Sequence, residues 1–590
     1  MKLSDYVIDF IVRQGVTHLF EMVGGAIAHL VDSTYERKDI HCVSVHHEQA
    51  AAFAAEGYAR TSGGLGVAMA TSGPGALNLT TGIASCYFDS VPALFITGQV
   101  NTYEYKFDRP LRQIGFQETD IVSIVKPITK YAELVAEPST IRYHLEKAAY
   151  LARAGRPGPV LLDIPLNVQR AEIEPEELKG YKPDEETPVP NAPYLEGTVL
   201  DDIATLLKQA ERPLILVGGG IRAAKAQAEL HHFVQHTRIP VVSSLMGLDA
   251  LSHDNPAFFG LIGSYGNRFS NLALANCDLL LILGSRLDTR QTGTRPGTFA
   301  RAAKKVHVDT DIHELNEKVQ ADIALHADVK IFLSRLNKVL SPMEPNDLAG
   351  WYRIVQGYRE RYPSEPTSTN SKIIDPNTFL RLLSEHCKKD QVICLDVGQH
   401  QMWASQSFKV KQGQRLLNSG GLGAMGFALP AAIGSAKARP GQPVIVIAGD
   451  GGLQVNIQEL ETVNYHRLPI KIFVMNNYNL GMVRQFQDVY FQGRQQSSLV
   501  GYSCPDFIKV ARAYGIRSYH ISGMDQAERI IKNALAYKGP VLVHVPLDAH
   551  AVVHPKLNVN KPIEDMSPHL ERDVLKREML IDLLEEGFDC

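Results

Sequence analysis

An α/β protein of doubly wound parallel-sheet domains with a helical C-terminal tail is predicted by three features: chain length, an internal repeat, and apolar runs that end in glycine-rich loops. At roughly 150 residues per domain, 590 residues suffice for three or four hydrophobic cores. Residues Ala54–Gly75 (AAEGYARTSGGLGVAMATSGPG) align without gaps on Ala431–Gly452 (AAIGSAKARPGQPVIVIAGDGG). Each copy reads as a small-residue helix, a turn, an apolar β run and a Gly-rich loop. Such runs, separated by helical stretches, mark parallel βαβ units, in which ligands sit at the carboxyl ends of the strands. Identities at Ala54, Ala55, Gly57, Ala59, Gly64 and Val67, together with the loops that end both copies, favour duplication over chance.

From the N-terminus, MKLSDYVIDFIVRQGVTHLF has charged and polar residues among its apolar positions before a signal-peptide core or a span of ~18 apolar residues can form. A cytoplasmic protein with no membrane partner is expected. A β run, HCVSV, leads into an Ala-rich helix, HHEQAAAFAAEGYAR. Glu174–Gly197 lacks a sustained apolar period and reads as a linker. Pro213–Gly220 (PLILVGGG) then opens another α/β unit, with strands expected at Leu279–Leu283 and Lys305–Val308. A second linker is assigned to Ser341–Asn370. Near the C-terminus, Ser567 and Pro568 read as a cap and first turn. Leu570, Val574, Leu575, Met579, Leu580, Leu583 and Leu584 recur at helical spacing, and Gly587 reads as a stop.

Composition narrows the function classes. Apolar residues make up 45% and charged residues 21%, which excludes disorder. Sixty basic against sixty-four acidic residues, with no Lys/Arg run, argue against nucleic acid as a partner. Seven scattered cysteines without a C-x-x-C pair suggest neither a disulfide framework nor a zinc site.

Two motifs carry chemistry. After VIVIA comes Gly449-Asp450-Gly451-Gly452, then a helical stretch, then IKIFVM ending in Asn476-Asn477. An Asp and an Asn at the ends of adjacent parallel strands are hard oxygen donors, and the glycines let backbone N–H groups approach phosphates. The pair suits a Mg²⁺-bridged diphosphate. Glu48, between a β run and a helix, reads by itself as a solvated first-turn acid.

The GDG…NN pairing resembles the signature of thiamine diphosphate enzymes. In that company Glu48 matches the carboxyl group that hydrogen-bonds the aminopyrimidine ring and shares the proton that activates the thiazolium C2. HEQAAAFAAEGYAR, ATSGPGALNL, FQETDIV, GRPGPVLLDIP, VGQHQMWASQ, SGGLGAMGFALPAAIG, GDGGLQVNIQEL and NNYNLGMVRQF resemble the catalytic subunit of acetohydroxyacid (acetolactate) synthase along most of residues 1–550. The resemblance implies a pyrimidine-binding thiamine domain (1–180), a central FAD-binding domain (190–345) and a diphosphate- and Mg-binding domain (365–550), to which the helical spacing adds a C-terminal helical tail (551–590). It implies a homodimer or homotetramer whose sites lie at the interface, with Glu48 of one subunit serving the cofactor held by the other.

Carried over residue by residue, Asp450, Asn477 and the backbone oxygen of Asn479 would bind Mg²⁺. Gln399, His400, Gly451 and Gly452 would approach the diphosphate. Gly423, Met425, Gly481 and Met482 would embrace the thiamine, with Met425 as the wedge that bends it. Gly24, Gly25, Pro74 and Asn78 would also bind the cofactor, and Phe116, Gln117, Met425, Met482 and Phe486 would join Glu48 as catalytic residues. The FAD positions are Gly218, Gly219, Gly220 and Met246, then Gly263, Gly284, Arg286 and Arg290, then Asp309, Ile312, Asp328 and Val329, with Arg156 from the first domain.

Three departures concern the acceptor. The loop 110–115 runs into Phe116-Gln117 without three residues that the synthases carry there, Ala50-Ala51 replace a glycine pair, and Phe486 stands where the synthases place a Trp. The charged tail is unlike the synthase ending and resembles branched-sugar (yersiniose-type) acetyl-transferring enzymes. The expected activity is therefore a carboligase that decarboxylates pyruvate and transfers the two-carbon unit to a ketone, either a 2-keto acid or a nucleotide-linked ketosugar. A flavin-linked pyruvate oxidase is the alternative, and a non-catalytic homologue is disfavoured by the presence of Glu48, Asp450 and Asn477.

Overall fold

The computed structural model describes residues 1–183, 195, 198–344, 346–365 and 372–584, so that parts of both assigned linkers and the Gly587 stop lie outside the described residues. Three six-stranded parallel sheets follow one another along the chain. The first holds β1 (His18–Met22), β2 (His41–Ser44), β3 (Gly66–Ala70), β4 (Ala93–Gln99), β5 (Tyr131–Leu134) and β6 (Pro159–Pro165), in the order β2-β1-β3-β4-β6-β5. Its inner strands β3, β4 and β6 are buried at every residue, as apolar runs covered on both faces must be.

The third sheet holds β13 (Val392–Leu395), β14 (Arg415–Asn418), β15 (Val444–Gly449), β16 (Ile470–Asn476), β17 (Arg517–His520) and β18 (Val541–Pro546). Its order, β14-β13-β15-β16-β18-β17, repeats the permutation of the first sheet. The internal repeat falls on equivalent elements, the helix before the third strand and that strand itself: Glu48–Ser62 with β3, and Ala428–Ala438 with β15. The duplication is thus written in topology as well as sequence. These two helices pack against each other, and one apolar core runs through both sheets.

The central sheet holds β7 (Pro213–Val217), β8 (Val241–Ser243), β9 (Phe258–Leu261), β10 (Leu279–Leu283), β11 (Lys304–Asp309) and β12 (Ile323–His326). Its order, β12-β11-β10-β7-β8-β9, reverses between β7 and β10 and opens a crevice at their carboxyl ends.

Two expectations are corrected. The second linker contains a helix, Ala349–Arg361, whose Trp351, Val355 and Tyr358 are buried at i, i+4 and i+7 against the central domain. Among the described residues, the tail is helical only over Arg572–Glu578. Ser567 pairs in a short antiparallel ladder, Lys556–Leu557 with Met566–Ser567, instead of capping a helix. Beyond Glu578 the central domain takes over the backbone groups that a helix would use. Tyr358 Oη and Asn276 Nδ2 donate to the Glu578 carbonyl at 2.6 and 3.0 Å, and the Leu580 N–H donates to Asn276 Oδ1 at 2.6 Å. Among the described residues, no helix is long and apolar enough to cross a membrane.

Candidate active site

Strands β15 and β16 pair in parallel with Gly449 opposite Met475, so Asp450 and Asn477 emerge side by side at the carboxyl edge. The Asn477 side-chain nitrogen donates to Gln399 Oε1 at 2.8 Å. Its amide oxygen is thereby turned toward the Asn479 carbonyl oxygen at 2.8 Å and toward Asp450 Oδ1 at 3.3 Å. Three oxygens meeting at such separations repel one another unless a cation lies between them. An octahedral Mg²⁺ with oxygen ligands at about 2.0–2.1 Å sets neighbouring oxygens about 3 Å apart. The donor set therefore fits Mg²⁺. Burial pushes the Asp450 carboxyl up to about 6, and its second oxygen accepts from Tyr502 Oη at 2.8 Å. A divalent cation would offset the cost of that buried charge.

The glycines here are required by close packing. A Cβ on Gly451 would stand 2.7 Å from Leu480 Cδ2 and 3.2 Å from the Met425 methyl, and one on Gly481 would overlap Gln399 Oε1. Met425 thus reaches over the Asp450 loop, on a turn where Gly423 and Gly426 have φ of +72° and +82°. That turn is held by Asp396, at the end of β13, whose carboxylate accepts from the backbone N–H groups of Gly426 and Ala428 at 2.9 Å each. Asp396 was missed in sequence; the only signal was a carboxylate ending an apolar strand, VICLD. It also meets the position a Gly452 Cβ would need. His400 is spent inside the protein. Burial lowers its pKa to about 3, and its neutral Nε2 accepts from the Gly449 N–H at 3.2 Å, which supports the GDG turn from below. Met482 and Phe486 lie on the helix Gly481–Tyr490 that follows the asparagines; Met482 packs inward and Phe486 is 44% exposed.

A second group forms at the carboxyl ends of β1, β2 and β3. Glu48 opens its helix as expected but is only 7% exposed, unlike a solvated first-turn acid. Its Oε2 accepts from Asn78 Nδ2 at 3.0 Å. Pro74 begins the short helix that carries Asn78, after Gly73 with φ of +63°. Gln117 packs its backbone against Gly73, and Phe116 is 86% exposed. A Cβ on Gly24 would stand 2.5 Å from Thr71, whereas one on Gly25 would meet open space. Among the described residues, no hydrogen bond or ion pair joins this group to the one around Asp450 within the chain.

The central crevice holds a cavity of about 550 Å³. Gly219, Gly220, Met246, Gly284, Arg286, Arg290, Asp309, Asp328, Val329 and Arg156 line it. Gly218 and Gly263 instead permit backbone packing, on Gly284 and on Arg290 respectively, and Ile312 is exposed. Arg156 donates to Asp311 and Glu314 at 2.9 Å each, while Asp328 caps the following helix. Asp89, Ser90 and Tyr265 also line the cavity and were missed.

Family models for thiamine pyrophosphate enzymes match the chain in three parts: the N-terminal TPP binding domain over residues 1–124, the central domain over 200–336 and the C-terminal TPP binding domain over 396–545. The chain is 38% identical to acetolactate synthase 2, chloroplastic, of Nicotiana tabacum, covering 92% of this chain and 82% of that protein. It is 37% identical to the acetolactate synthase isozyme 2 large subunit of Escherichia coli, covering 93% and 96%. It is also 37% identical to a probable acetolactate synthase large subunit of Methanocaldococcus jannaschii, covering 93% and 92%.

Proposed function

The chain belongs to the acetolactate synthase large-subunit family of thiamine pyrophosphate enzymes, and from that premise we propose that it joins the two-carbon unit of pyruvate to a ketone acceptor roomier than 2-ketobutyrate. It is a thiamine diphosphate-dependent enzyme that forms C–C bonds. The observation that carries the site assignment is the three-oxygen cluster of Asp450, Asn477 and Asn479.

The cofactor supplies the electron sink that lets pyruvate lose CO₂, and it carries the retained unit to the acceptor carbonyl. The chain supplies position and proton control. Asp450 and Asn477, with the Asn479 carbonyl, would hold Mg²⁺ and so help bind the diphosphate, and Gln399 keeps the Asn477 oxygen turned inward. Met425 would press on the thiamine from its Asp396-anchored turn. Glu48 has one oxygen committed to Asn78, which leaves the other free to hold a proton at the pyrimidine nitrogen.

The lack of any direct hydrogen bond or ion pair between the Glu48 and Asp450 groups among the described residues supports a homodimer in which each site draws on both subunits. Exposed apolar residues flank the two groups, with Leu111, Ile114 and Phe116 beside one and Tyr478, Val483 and Val489 beside the other. Such patches mark association surfaces. The central cavity has the place and size for FAD, at a topological switch point beside a glycine triplet. The shortened loop before Phe116 and the smaller ring of Phe486 support a widened acceptor pocket.

Product analysis by mass spectrometry tests this reading, with labelled pyruvate offered against 2-ketobutyrate, cyclic ketones and a nucleotide-linked ketosugar. Preferential labelling of the bulkier acceptors is expected, with acetolactate as a side product. Dominance of 2-ketobutyrate, unchanged in Phe486→Trp, would return the chain to ordinary acetohydroxyacid synthesis, and peroxide formed in step with pyruvate would make it an oxidase.

A further inference from the structure

Two other lysines withdrawn from solvent, the buried Lys471 and the half-buried Lys130, are satisfied by the chain. Lys471 donates to the carbonyls of Tyr537 and Gly539 at 2.5 Å each, and Lys130 donates to those of Ala154 and Arg156 at 2.5 and 2.7 Å. Lys556 breaks this pattern. It is 7% exposed, yet among the described residues its ammonium makes no hydrogen bond and no ion pair. Its nearest company is aromatic: Nζ lies 5.9 Å from the Phe486 ring centre and 5.6 Å from that of Tyr490. These distances sit at the outer limit of cation–π attraction, about 6 Å, so the two rings hold the ammonium only weakly. Burial lowers the pKa of the group, and no carboxylate counteracts it.

The place of this cation is informative. Phe486 and Tyr490 lie on the helix whose first residue packs against Gln399 and Asn477. On the other side, the Leu557 N–H donates to the Ser264 carbonyl at 2.7 Å, and the Ser264 N–H donates to the Arg290 carbonyl at 2.7 Å. The short ladder that carries Lys556 therefore bridges the Phe486 helix and the Tyr265–Arg290 wall of the central cavity. An ammonium without a protein partner thus stands beside Phe486, the residue assigned above to the acceptor.

We propose that Lys556 recognises an anionic oxygen group on the ketone acceptor and thereby selects charged acceptors over neutral ones. The proposal rests on the carboligase reading above. A 2-keto acid offers a carboxylate beside its carbonyl, and a nucleotide-linked ketosugar offers a diphosphate. Both would complete the missing ion pair, and a neutral ketone would not.

The experiment compares wild type, Lys556→Met and Lys556→Arg in competition for the labelled two-carbon unit between pyruvate, a nucleotide-linked ketosugar and a neutral cyclic ketone. CO₂ release from pyruvate is recorded in parallel. In Lys556→Met, kcat/KM for the anionic acceptor should fall about 10- to 100-fold, mainly through KM, with the neutral ketone unchanged and Lys556→Arg restoring most of the loss. The melting temperature of Lys556→Met should not fall, because the ammonium has no protein partner whose loss would weaken the fold. Loss confined to the keto acid assigns the carboxylate, and loss confined to the ketosugar assigns the diphosphate. An unchanged ratio of anionic to neutral transfer, or equal loss of both with a lowered melting temperature, overturns the proposal. Absence of CO₂ release in the wild type would instead sink the carboligase reading.

Discussion

Gly57 and Gly434 occupy equivalent positions in the internal repeat, and each faces the other copy's helix. A Cβ on Gly57 would overlap the Ala431 carbonyl oxygen, and one on Gly434 would overlap that of Ala54, so the two contacts are reciprocal. Ala54 and Ala431 are themselves equivalent in the repeat. The backbone approach that joins the first and third domains is thus a pseudo-twofold contact, possible only with glycine at both places.

Gly434→Ala should accordingly destabilise the protein by about 1–3 kcal/mol or more, since backbone cannot yield as a flexible side chain would. Gly350→Ala, in a helix where an added Cβ meets nothing within 4 Å, should be neutral or stabilising. Denaturant unfolding of the two variants checks the contrast, and equal effects would contradict the contact.

Glu48→Gln should keep fold and cofactor content but slow proton exchange at C2 of bound thiamine by about 10²–10⁴-fold, because an amide cannot share the proton. Exchange followed by NMR decides the matter, and a wild-type rate would remove Glu48 from the site.

Asp450→Ala should lower the metal-dependent affinity for thiamine diphosphate more than about 100-fold, since it removes the one formal charge in the oxygen cluster. Asn479→Ala should cost less, because its ligand is a backbone carbonyl. Its side chain only holds the turn, donating to the carbonyls of Asn477 and Ala549 at 2.6 and 2.8 Å. Titration calorimetry with and without Mg²⁺ should rank the two variants in that order.

Asp163 on β6 provides a pH prediction away from the site. Burial pushes its carboxyl up to about 7, against the opposing hydrogen bonds donated by Thr97 Oγ1 at 2.7 Å and Gln99 Nε2 at 2.8 Å. The folded state then binds more protons than the unfolded state between about pH 4 and 7, so the contribution is complete at low pH and is lost as pH rises through 7. The loss is at most about 4 kcal/mol. Urea unfolding across that range should show a decline that Asp163→Asn flattens; parallel curves would refute it.

Much of this architecture is legible in the sequence because parallel strands buried on both faces must be apolar throughout, and loops at their carboxyl ends must be glycine-rich where backbones touch. VIVIA-GDGG and IKIFVM-NN therefore place Asp450 and Asn477 before any coordinates. Asp396 escapes because its role is played through the backbone N–H groups of a distant loop, which leave no trace in residue type. The tail misleads for a related reason. Its leucines do recur at helical spacing, but Asn276 and Tyr358 claim the backbone groups beyond Glu578, and periodicity cannot register such competition. The Ala349–Arg361 helix carried a readable signal in Trp351, Val355 and Tyr358, obscured by polar flanks.

The division of each proposed site between two chains has a genetic corollary. A Glu48→Gln chain and an Asp450→Ala chain, each inactive alone, would form mixed dimers in which one site inherits both lesions and the other inherits neither. Co-expression would restore about a quarter of the wild-type sites at random assortment. Two null alleles of one gene would thus rescue each other, whereas two lesions within the Asp450 group would not.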